Sequence, residues 1–366
     1  MVIHFSILGV ILFVNLLWES GTKKIKQKRG FYIMPWLPFA IIFGYLAFLA
    51  AMRSGMNDTS AYVHSFDLAT GTFNEMGNII TDNSKDKAFY ILANLFKMFI
   101  SDDYHLWFAF FSIIESLCFI YILRRETVSI LDSCFFFFTS TLYYNYFSMM
   151  RQWFALALFF LAFKWLKRKQ FLPYLVVCLL AAQFHNSAYL CIPVYFLVHD
   201  QPFCRKQLIY IFILCILMFL LNPILSVLES SDTTYNYVFE TMTQSSGSSP
   251  IRILISAVPI VLCFVYRNKV YKENNNTLNI CINMSMINLL LNIMASFTSG
   301  LYLIRMSSYF NMFNVLLFPF ILERLLVGNN RKIIKIAFYV LYFLFYIYQM
   351  NYQGAFGYSS DVLGKF

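Results

Sequence analysis

The sequence predicts an all-α polytopic membrane protein with about twelve transmembrane helices, two of which form a broken or re-entrant hairpin. Hydrophobic residues make up 60% of the chain, charged residues only 13%, and the mean hydropathy is +0.63. This composition lies far outside the range of soluble globular proteins. Because each crossing takes roughly 20 apolar residues, the chain has room for about ten to thirteen crossings and short connections. We expect a single integral membrane domain over residues 1–366.

Apolar runs of sufficient length predict the individual crossings. They lie at residues 2–18, 31–51, 104–123, 128–147, 151–166, 207–228, 251–266, 278–297, 306–323 and 333–350. The first run has no preceding basic residue and no small-residue cleavage site, so we expect a retained helix and not a signal peptide.

The run 171–198 is the ambiguous one, because "QFHNSA" (183–188) interrupts its 28 residues. If it is a hairpin with its tip outside, both termini lie outside and 20 of the 28 Lys and Arg residues lie inside. If it crosses once, the basic residues divide equally between the two sides. Since cytosolic loops carry an excess of Lys and Arg, the hairpin is favoured.

Charge and cysteine usage exclude several classes of function. A net charge of +10 reflects, in a polytopic protein, the basic cytosolic loops, so we expect no nucleic-acid partner. The eight cysteines include no C-x-x-C pair, which argues against a disulfide framework or a zinc site. We find no phosphate-binding glycine loop and no H-E-x-x-H, and we expect neither a cofactor nor a metal.

Two long outer segments, 52–103 and 229–250, make the outer face the expected site of function. In the first, Phe89, Leu92, Phe96 and Phe99 form one helical stripe that predicts a helix lying in the membrane interface, with Asn94 and Lys97 facing away. The second ends in a Gly/Ser run typical of a mobile flap, although a simple connector is equally compatible.

Three arginines, Arg53, Arg151 and Arg305, are exceptions to the predicted inner location of basic residues. Each is predicted at the outer end of an apolar helix. One such arginine alone is best explained by snorkelling to lipid headgroups or by pairing with an outer acid. Three on one face, none of them Lys, favour a shared anion, because the planar guanidinium binds phosphate bidentately.

Two further polar side chains are candidate proton acceptors, His185 in "FHNSA" and Asp58 in "RSGMNDTSAY". The alternatives are a hydrogen bond from His185 to Ser187 or to the backbone, and a salt bridge from Asp58 to Arg53. Of the two we favour His185 slightly. Three nearby tyrosines, Tyr143, Tyr144 and Tyr146, are candidates for stacking on sugar rings. The alternative is an ordinary belt of aromatic residues at the membrane interface.

The chain resembles the EpsG-like family of bacterial exopolysaccharide and capsule proteins, which belongs with the Wzy-type polysaccharide polymerases. "MRSGMNDTSAY" is similar to the family's R-x-G-x-x-D-T-x-x-Y, and "MRQWFALALFFLAFKWLKRKQFLPY" to its M/I-R-Q-x-x-A helix. "LAAQFHNSA" is similar to F-H-x-S-A, and "LIRMSSYF" continues the order more weakly. The chain departs from the family's E-P-x-F at "DKAF", where Lys87 and Ala88 stand.

The resemblance implies a GT-C-like membrane glycosyltransferase in the bacterial cytoplasmic membrane. Such polymerases transfer a growing glycan between undecaprenyl-pyrophosphate-linked repeat units on the outer face, with lipid pyrophosphate as leaving group. Their expected partners are membrane lipid and the flippase and chain-length regulator of the same pathway. The three arginines would bind the pyrophosphate, and His185 or Asp58 would act as base.

A transporter or flippase of glycans is the main alternative function, since twelve crossings also suit secondary carriers. Against it stand the lack of an internal repeat and the expectation that no charge is buried at mid-membrane. An O-acyltransferase would need a cytosolic acyl donor, whereas His185 is predicted outside.

Overall fold

The computed structural model describes residues 2–19, 25–26, 32–82, 85–213, 216, 248–297, 301–326, 331–352 and 357–365, which are mainly α-helical. The chain divides into two compact units. Unit 1 is Met1–Ile192 with Asn329–Phe366, and unit 2 is Pro193–Gly328. The single membrane domain over the whole chain stays a prediction.

The helices follow one another with short connections. Unit 1 begins with α1 (Val2–Glu19), α2 (Trp36–Ala51), α3 (Thr59–Asp67), α4 (Phe73–Thr81), α5 (Lys87–Phe99), α6 (Tyr104–Glu126), α7 (Ile130–Thr139), α8 (Leu142–Ser148), α9 (Met150–Lys167) and α10 (Phe171–Phe184). Next come a 3-10 turn (Asn186–Leu190), α11 (Cys191–Leu197), α12 (Pro250–Val265), α13 (Arg267–Glu273), α14 (Asn276–Met294), α15 (Leu301–Asn311), α16 (Asn314–Phe320) and a π-helical turn (Ile321–Leu325). Unit 1 ends with α17 (Arg331–Tyr352).

Two short antiparallel strand pairs accompany the helices of unit 1. Strand β1 (Ile25–Lys26) pairs with β2 (Tyr32–Ile33), and β3 (Ser359–Ser360) pairs with β4 (Gly364–Lys365). The second pair forms the C-terminal hairpin (residues 357–365), which lies against the loop between α2 and α3.

Helix α6 packs between α2 and α9 in the core of unit 1. The Ser116 hydroxyl donates to the carbonyl of Phe43 on α2 at 3.1 Å. The Phe119 ring lies 5.8 Å from the ring of Phe43 and 5.7 Å from that of Trp153 on α9. Small hydroxyl side chains that bond across a close helix pair are typical of packing inside membranes.

The predicted crossing 128–147 is broken into α7 and α8. The Thr139 hydroxyl donates to the carbonyl of Phe135 at 2.9 Å, and Thr141 has a φ of 63°. A residue in this left-handed region cannot continue a right-handed helix. The uninterrupted helix expected from the apolar run is therefore wrong at this point.

The chain doubles back at His185, as the hairpin interpretation of residues 171–198 requires. Helix α10 ends at Phe184, and His185 is extended with φ −156°. The hydroxyl of Tyr174, in the first turn of α10, donates to the carbonyl of Cys191, which follows the 3-10 turn. This contact is only possible if the two arms run back along each other.

The outer segment 52–103 folds as the three helices α3, α4 and α5, of which the sequence indicated only the last. Apolar residues of α3 and α5 pack around Trp107 near the start of α6. The rings of Phe66, Phe89 and Phe96 have centroids 5.3, 5.6 and 5.1 Å from that of Trp107. Buried aromatic area of this kind contributes strongly to packing.

Helix α5 forms as predicted, but its buried face differs from the predicted stripe. Phe89 and Phe96 are buried, whereas Phe99 is 70% exposed. Asn94, expected to face away, is buried and accepts the backbone N–H of Gly71 at 3.0 Å. Gly71 has φ +68°, so the amide of Asn94 stabilises a turn that favours glycine.

In unit 2, a buried side-chain amide on α14 holds the first residues of the unit in place. Asn283 on α14 donates to the carbonyls of Val198 and Asp200 at 3.0 and 2.9 Å. The predicted outer flap 229–250 lies outside the described residues up to position 247.

By length and composition, three described helices could each cross a membrane, namely α6, α14 and α17. A fourth candidate is the pair α12 and α13, which is bent by 72°. Five shorter described helical segments are also apolar, at Val2–Trp18, Trp36–Ala51, Ile130–Thr139, Phe171–Phe184 and Asn186–Leu197. The all-α class is confirmed, while the total of about twelve crossings and the side on which each loop lies stay predictions.

Candidate functional site

Arg151, in the first turn of α9, is the centre of a polar cluster in unit 1. Its Nη1 donates to Oδ2 of Asp86 at 3.0 Å and to the hydroxyl of Tyr90 at 3.1 Å. The guanidinium carbon lies 5.7 Å from the ring centroid of Phe89 and 6.0 Å from that of Tyr62. The side chain is 32% exposed. A cation flanked by aromatic rings and still open to solvent can accept an external anion.

Asp86 connects Arg151 to the tip of the α10 hairpin. It directly precedes α5 with a left-handed φ of 60°, which Asp tolerates better than most residues. Its Oδ1 accepts the backbone N–H of Asn186 at 3.2 Å. Burial raises the pKa of Asp86, although Arg151 and this N–H both favour the charged form. Asp86 thus joins α5, α9 and the hairpin tip.

His185 begins the tip and caps the 3-10 turn. Its Nδ1 accepts the backbone N–H of Ser187 at 3.3 Å and lies 2.6 Å from the Ser187 hydroxyl oxygen. Because Nδ1 is the accepting nitrogen, the neutral imidazole carries its proton on Nε2. The predicted alternative, a hydrogen bond to Ser187, is thereby confirmed. A proton on Nε2 suits His185 to donate a hydrogen bond and disfavours the proton-acceptor role.

The second candidate base, Asp58, begins α3 with an exposed side chain. Its carbonyl accepts the N–H of Tyr62 at 3.1 Å, so Asp58 lies one helical turn from the tyrosine beside Arg151. The neighbouring Asn57 amide donates to the hydroxyl of Tyr144. Burial raises the pKa of Tyr62, and the charge of Asp58 adds to this effect. We call Tyr62, Asp86, Tyr90, Arg151 and residues 185–187 the Arg151 cluster, and Asp58 lies at its edge.

Arg53 is enclosed, in contrast to its predicted role as a pyrophosphate ligand. It is 2% exposed, its guanidinium carbon lies 4.3 Å from the Phe108 ring centroid, and Nη1 donates to the carbonyl of Ala50. Burial lowers the pKa of Arg53 to about 10, and the charge of Glu115 partly opposes this. Among the described residues no Asp58 to Arg53 salt bridge is formed. The structure therefore gives no support to Arg53 as a ligand.

Glu115 lies midway along α6 and is 2% exposed. This helix is one of those long and apolar enough to cross a membrane. This buried acidic side chain weakens the expectation that no charge is buried at mid-membrane. Glu115 did not stand out in the sequence, because the surrounding stretch "FFSIIESLCF" is otherwise mostly apolar.

The three tyrosines of α8 have different surroundings. The Tyr143 hydroxyl is 2.8 Å from Nδ1 of His4 and 3.0 Å from the hydroxyl of Tyr346, and its ring is fully buried. The buried Tyr146 hydroxyl donates to the Ser112 carbonyl at 2.8 Å. These two rings are enclosed between helices, so sugar stacking by Tyr143 and Tyr146 finds no support. Tyr144 is also buried, at 5% exposed, and its hydroxyl accepts the Asn57 amide of the loop that carries Asp58, so its sugar-stacking role stays a prediction.

Arg305 lies on α15 in unit 2 with an exposed side chain. Its predicted role in binding the same anion as Arg151 stays a prediction.

The C-terminal hairpin supports the loop before α3, and Gly55 is the one feature of the sequence that points to this contact. Ser359 donates its N–H to the carbonyl of Gly55 at 2.9 Å and accepts the N–H of Gly55 at 3.1 Å. The Tyr358 hydroxyl donates to the carbonyl of Leu49 at 2.8 Å. A Cβ atom on Gly55 would lie 2.2 Å from the Ser359 hydroxyl oxygen. The glycine of "RSGMND" is the residue that allows this close approach.

A family model, described as the EpsG family, matches residues 36–360. The chain belongs to the EpsG family. No curated protein and no solved structure matches it. EpsG membership assigns it to exopolysaccharide biosynthesis and, together with the apolar helices, to the multi-pass membrane proteins. Three segments that carried the resemblance to EpsG come together around Arg151. Tyr62, which ends "MRSGMNDTSAY", lies 6.0 Å from its guanidinium carbon, and Asp86 connects it to the tip that carries "FHNSA".

Proposed function

We propose that this EpsG-family protein is a polymerase that joins undecaprenyl-pyrophosphate-linked repeat units into exopolysaccharide or capsule. The observation that carries the proposal is the partly exposed guanidinium of Arg151 between Tyr62 and Tyr90, next to the hairpin tip. A phosphate there would meet a cation together with neutral donors. Tyrosine rings beside it offer apolar faces of the kind on which sugars stack.

The proposed reaction moves a glycan from one lipid carrier to another. A hydroxyl of the acceptor sugar attacks the anomeric carbon of the donor glycan, and a new C–O bond forms. The bond from that carbon to the lipid pyrophosphate breaks, and its electron pair stays on the pyrophosphate oxygen. The hydroxyl proton passes to a base on the protein. Arg151 stabilises the negative charge that develops on the leaving group, as preorganised donors do in other transferases.

Asp58 is the better candidate base, because its carboxylate is exposed and lies one turn from Tyr62. His185 is assigned a different role, since its proton on Nε2 suits it to donate to a phosphate or sugar oxygen. The backbone N–H of Asn186 and the hydroxyl of Tyr90 are further donors of the same site. General base catalysis typically contributes about 10²- to 10⁴-fold to a rate.

The proposal includes the setting predicted from the sequence. The protein would lie in the bacterial cytoplasmic membrane with both termini and the Arg151 cluster outside, where undecaprenyl-pyrophosphate-linked glycans are presented. It would be GT-C-like in architecture. A flippase would supply the repeat units, and a chain-length regulator would limit the product.

A transporter of glycans or lipid-linked oligosaccharides is the second candidate function, and one observation favours it. The Glu115 side chain is buried midway along a candidate spanning helix. Ionisable residues inside membrane segments commonly mark ion or substrate pathways. The Arg151 cluster, in contrast, has no evident use in a carrier of neutral glycans.

One experiment separates the two functions. Purified protein in vesicles is supplied with an undecaprenyl-pyrophosphate-linked repeat unit, and the products are resolved by size. A ladder of longer glycans with release of undecaprenyl pyrophosphate supports the polymerase. Movement of the lipid-linked unit across the bilayer without elongation supports the transporter and contradicts the proposal.

A further inference from the structure

The carboxylate of Asp86 occupies a point where donors from two separate elements converge. Nη1 of Arg151 reaches Oδ2 at 3.0 Å from the start of α9, and the N–H of Asn186 reaches Oδ1 at 3.2 Å from the hairpin tip. The Asp86 side chain is only 10% exposed. A cation and a backbone N–H that converge on one partly enclosed pair of oxygens form the environment that binds anions in proteins.

The local role of Asp86 does not explain this arrangement. The residue stands at the N-cap of α5, where an aspartate normally accepts backbone N–H groups of its own helix. Its side chain makes no such capping bond. The carboxylate is instead directed to donors of α9 and of the tip, and the backbone adopts φ 60° to place it there.

We propose that Asp86 is a placeholder anion. Its carboxylate occupies, in the substrate-free protein, the position that one phosphate of the lipid pyrophosphate takes during the reaction. This inference rests on the proposed function, because it names what Arg151 binds before the substrate arrives. Substrate binding then exchanges one anion for another on Arg151 and frees the hairpin tip from α5.

The geometry of the contact makes the exchange favourable. Asp86 and Arg151 are joined through one nitrogen and one oxygen, whereas a phosphate group can use the planar guanidinium bidentately. A phosphate carries further oxygens that can accept the Asn186 N–H and the Tyr90 hydroxyl. The resident carboxylate keeps the guanidinium oriented without binding it as strongly as the substrate does.

The test is a binding measurement that does not depend on elongation. Inorganic pyrophosphate is titrated by calorimetry into the purified full-length protein and into two variants, Asp86→Asn and Asp67→Asn. An asparagine keeps an acceptor for the Asn186 N–H but does not compete for the guanidinium. We expect Asp86→Asn to bind pyrophosphate at least about tenfold more tightly than wild type. Asp67→Asn removes one charge at an exposed position of α3 outside the cluster and should bind like wild type.

Every other outcome of the titration overturns the placeholder, and one of them also overturns the proposed function. Equal or weaker binding by Asp86→Asn shows that Asp86 only positions Arg151, and it overturns the placeholder while leaving the proposed function intact. Failure of all three proteins to bind pyrophosphate overturns Arg151 as a phosphate ligand, and with it the proposed function. If Asp86→Asn does not fold, Asp86→Ser is measured in its place. Loss of folding in both variants makes Asp86 a structural link and also overturns the placeholder.

Discussion

Arg53 and Arg151 are the same type of residue, each next to an end of an apolar helix of unit 1 and each near aromatic rings, yet they differ in exposure and in polar partners. Arg53 is 2% exposed, lies against the Phe108 ring and donates to the carbonyl of Ala50. The Arg151 side chain is 32% exposed and contacts Asp86. The first guanidinium is enclosed by the fold, and the second is accessible to a ligand.

The comparison shows that an arginine at a helix end has two distinct uses in a membrane protein. A buried arginine held by packing and a backbone contact is costly to remove, because its long side chain fills space between helices. Such a residue helps to fix the position of a loop, here the loop that leads to Asp58. A partly exposed arginine can change partners at little cost, which a binding site requires.

The largest expected effect is a loss of stability at the enclosed arginine. Arg53→Ala removes a 2%-exposed side chain that packs against the Phe108 ring, so we expect the free energy of unfolding to fall by about 2–5 kcal/mol. Thermal unfolding of the purified protein in detergent measures this loss. Arg151→Ala is the matched control and should cost less, about 1–2 kcal/mol, because the Arg151 side chain is 32% exposed although its removal leaves the Asp86 carboxylate without its cation. Equal destabilisation by both variants would contradict the distinction between the two arginines.

An intermediate effect concerns the loop that follows Arg53. Gly55→Ala places a Cβ atom against the Ser359 hydroxyl oxygen, so that hydroxyl must rotate away from the Gly55 carbonyl, to which it donates at 3.3 Å. We expect the free energy of unfolding to fall by about 0.5–1.5 kcal/mol. Gly77→Ala is the control, because nothing lies within 4 Å of a Cβ at that position of α4. It should be neutral or slightly stabilising. Thermal unfolding of both variants decides, and wild-type stability of Gly55→Ala would show that this contact of the hairpin does not hold the loop.

The smallest effect is expected at the hairpin tip. His185→Gln retains a side-chain N–H donor, so the elongation rate should fall by less than about tenfold. Asp58→Asn, measured beside it, should lose about 10²- to 10⁴-fold if Asp58 is the base. The reverse order of the two losses, with an acid limb in the pH-rate profile that His185→Gln abolishes, would restore His185 as the proton acceptor.

Much of the helical framework could be predicted, because continuous apolar runs depend only on local sequence. The runs 2–18, 104–123 and 151–166 match α1, α6 and α9 to within a few residues. The turn at His185 followed from counting basic residues on each side. The break between α7 and α8 was missed, since Thr141 adopts its positive φ within an otherwise apolar segment.

The candidate site was only partly predictable, because burial and pairing are tertiary properties. Arg151, His185 and Asp58 stood out as polar residues in unusual places. Asp86 stands where the family's E-P-x-F has its acid, but its contacts could not be predicted, because its partners are 65 and 100 positions away. The enclosure of Arg53 likewise depends on Phe108 and Glu115, which belong to a different helix.

The measurement that tests the account most directly is the elongation rate per folded molecule of Arg151→Lys and Arg53→Lys, on an undecaprenyl-pyrophosphate-linked repeat unit. Both variants keep the charge and lose the planar fork. Arg151→Lys should unfold at the wild-type temperature but elongate about 10- to 100-fold more slowly, because charge-assisted bonds to the leaving pyrophosphate are lost. Arg53→Lys should unfold at a lower temperature, with its folded fraction elongating at the wild-type rate. A wild-type rate for Arg151→Lys, or a slow rate for stable Arg53→Lys, would contradict the assignment of the pyrophosphate to Arg151.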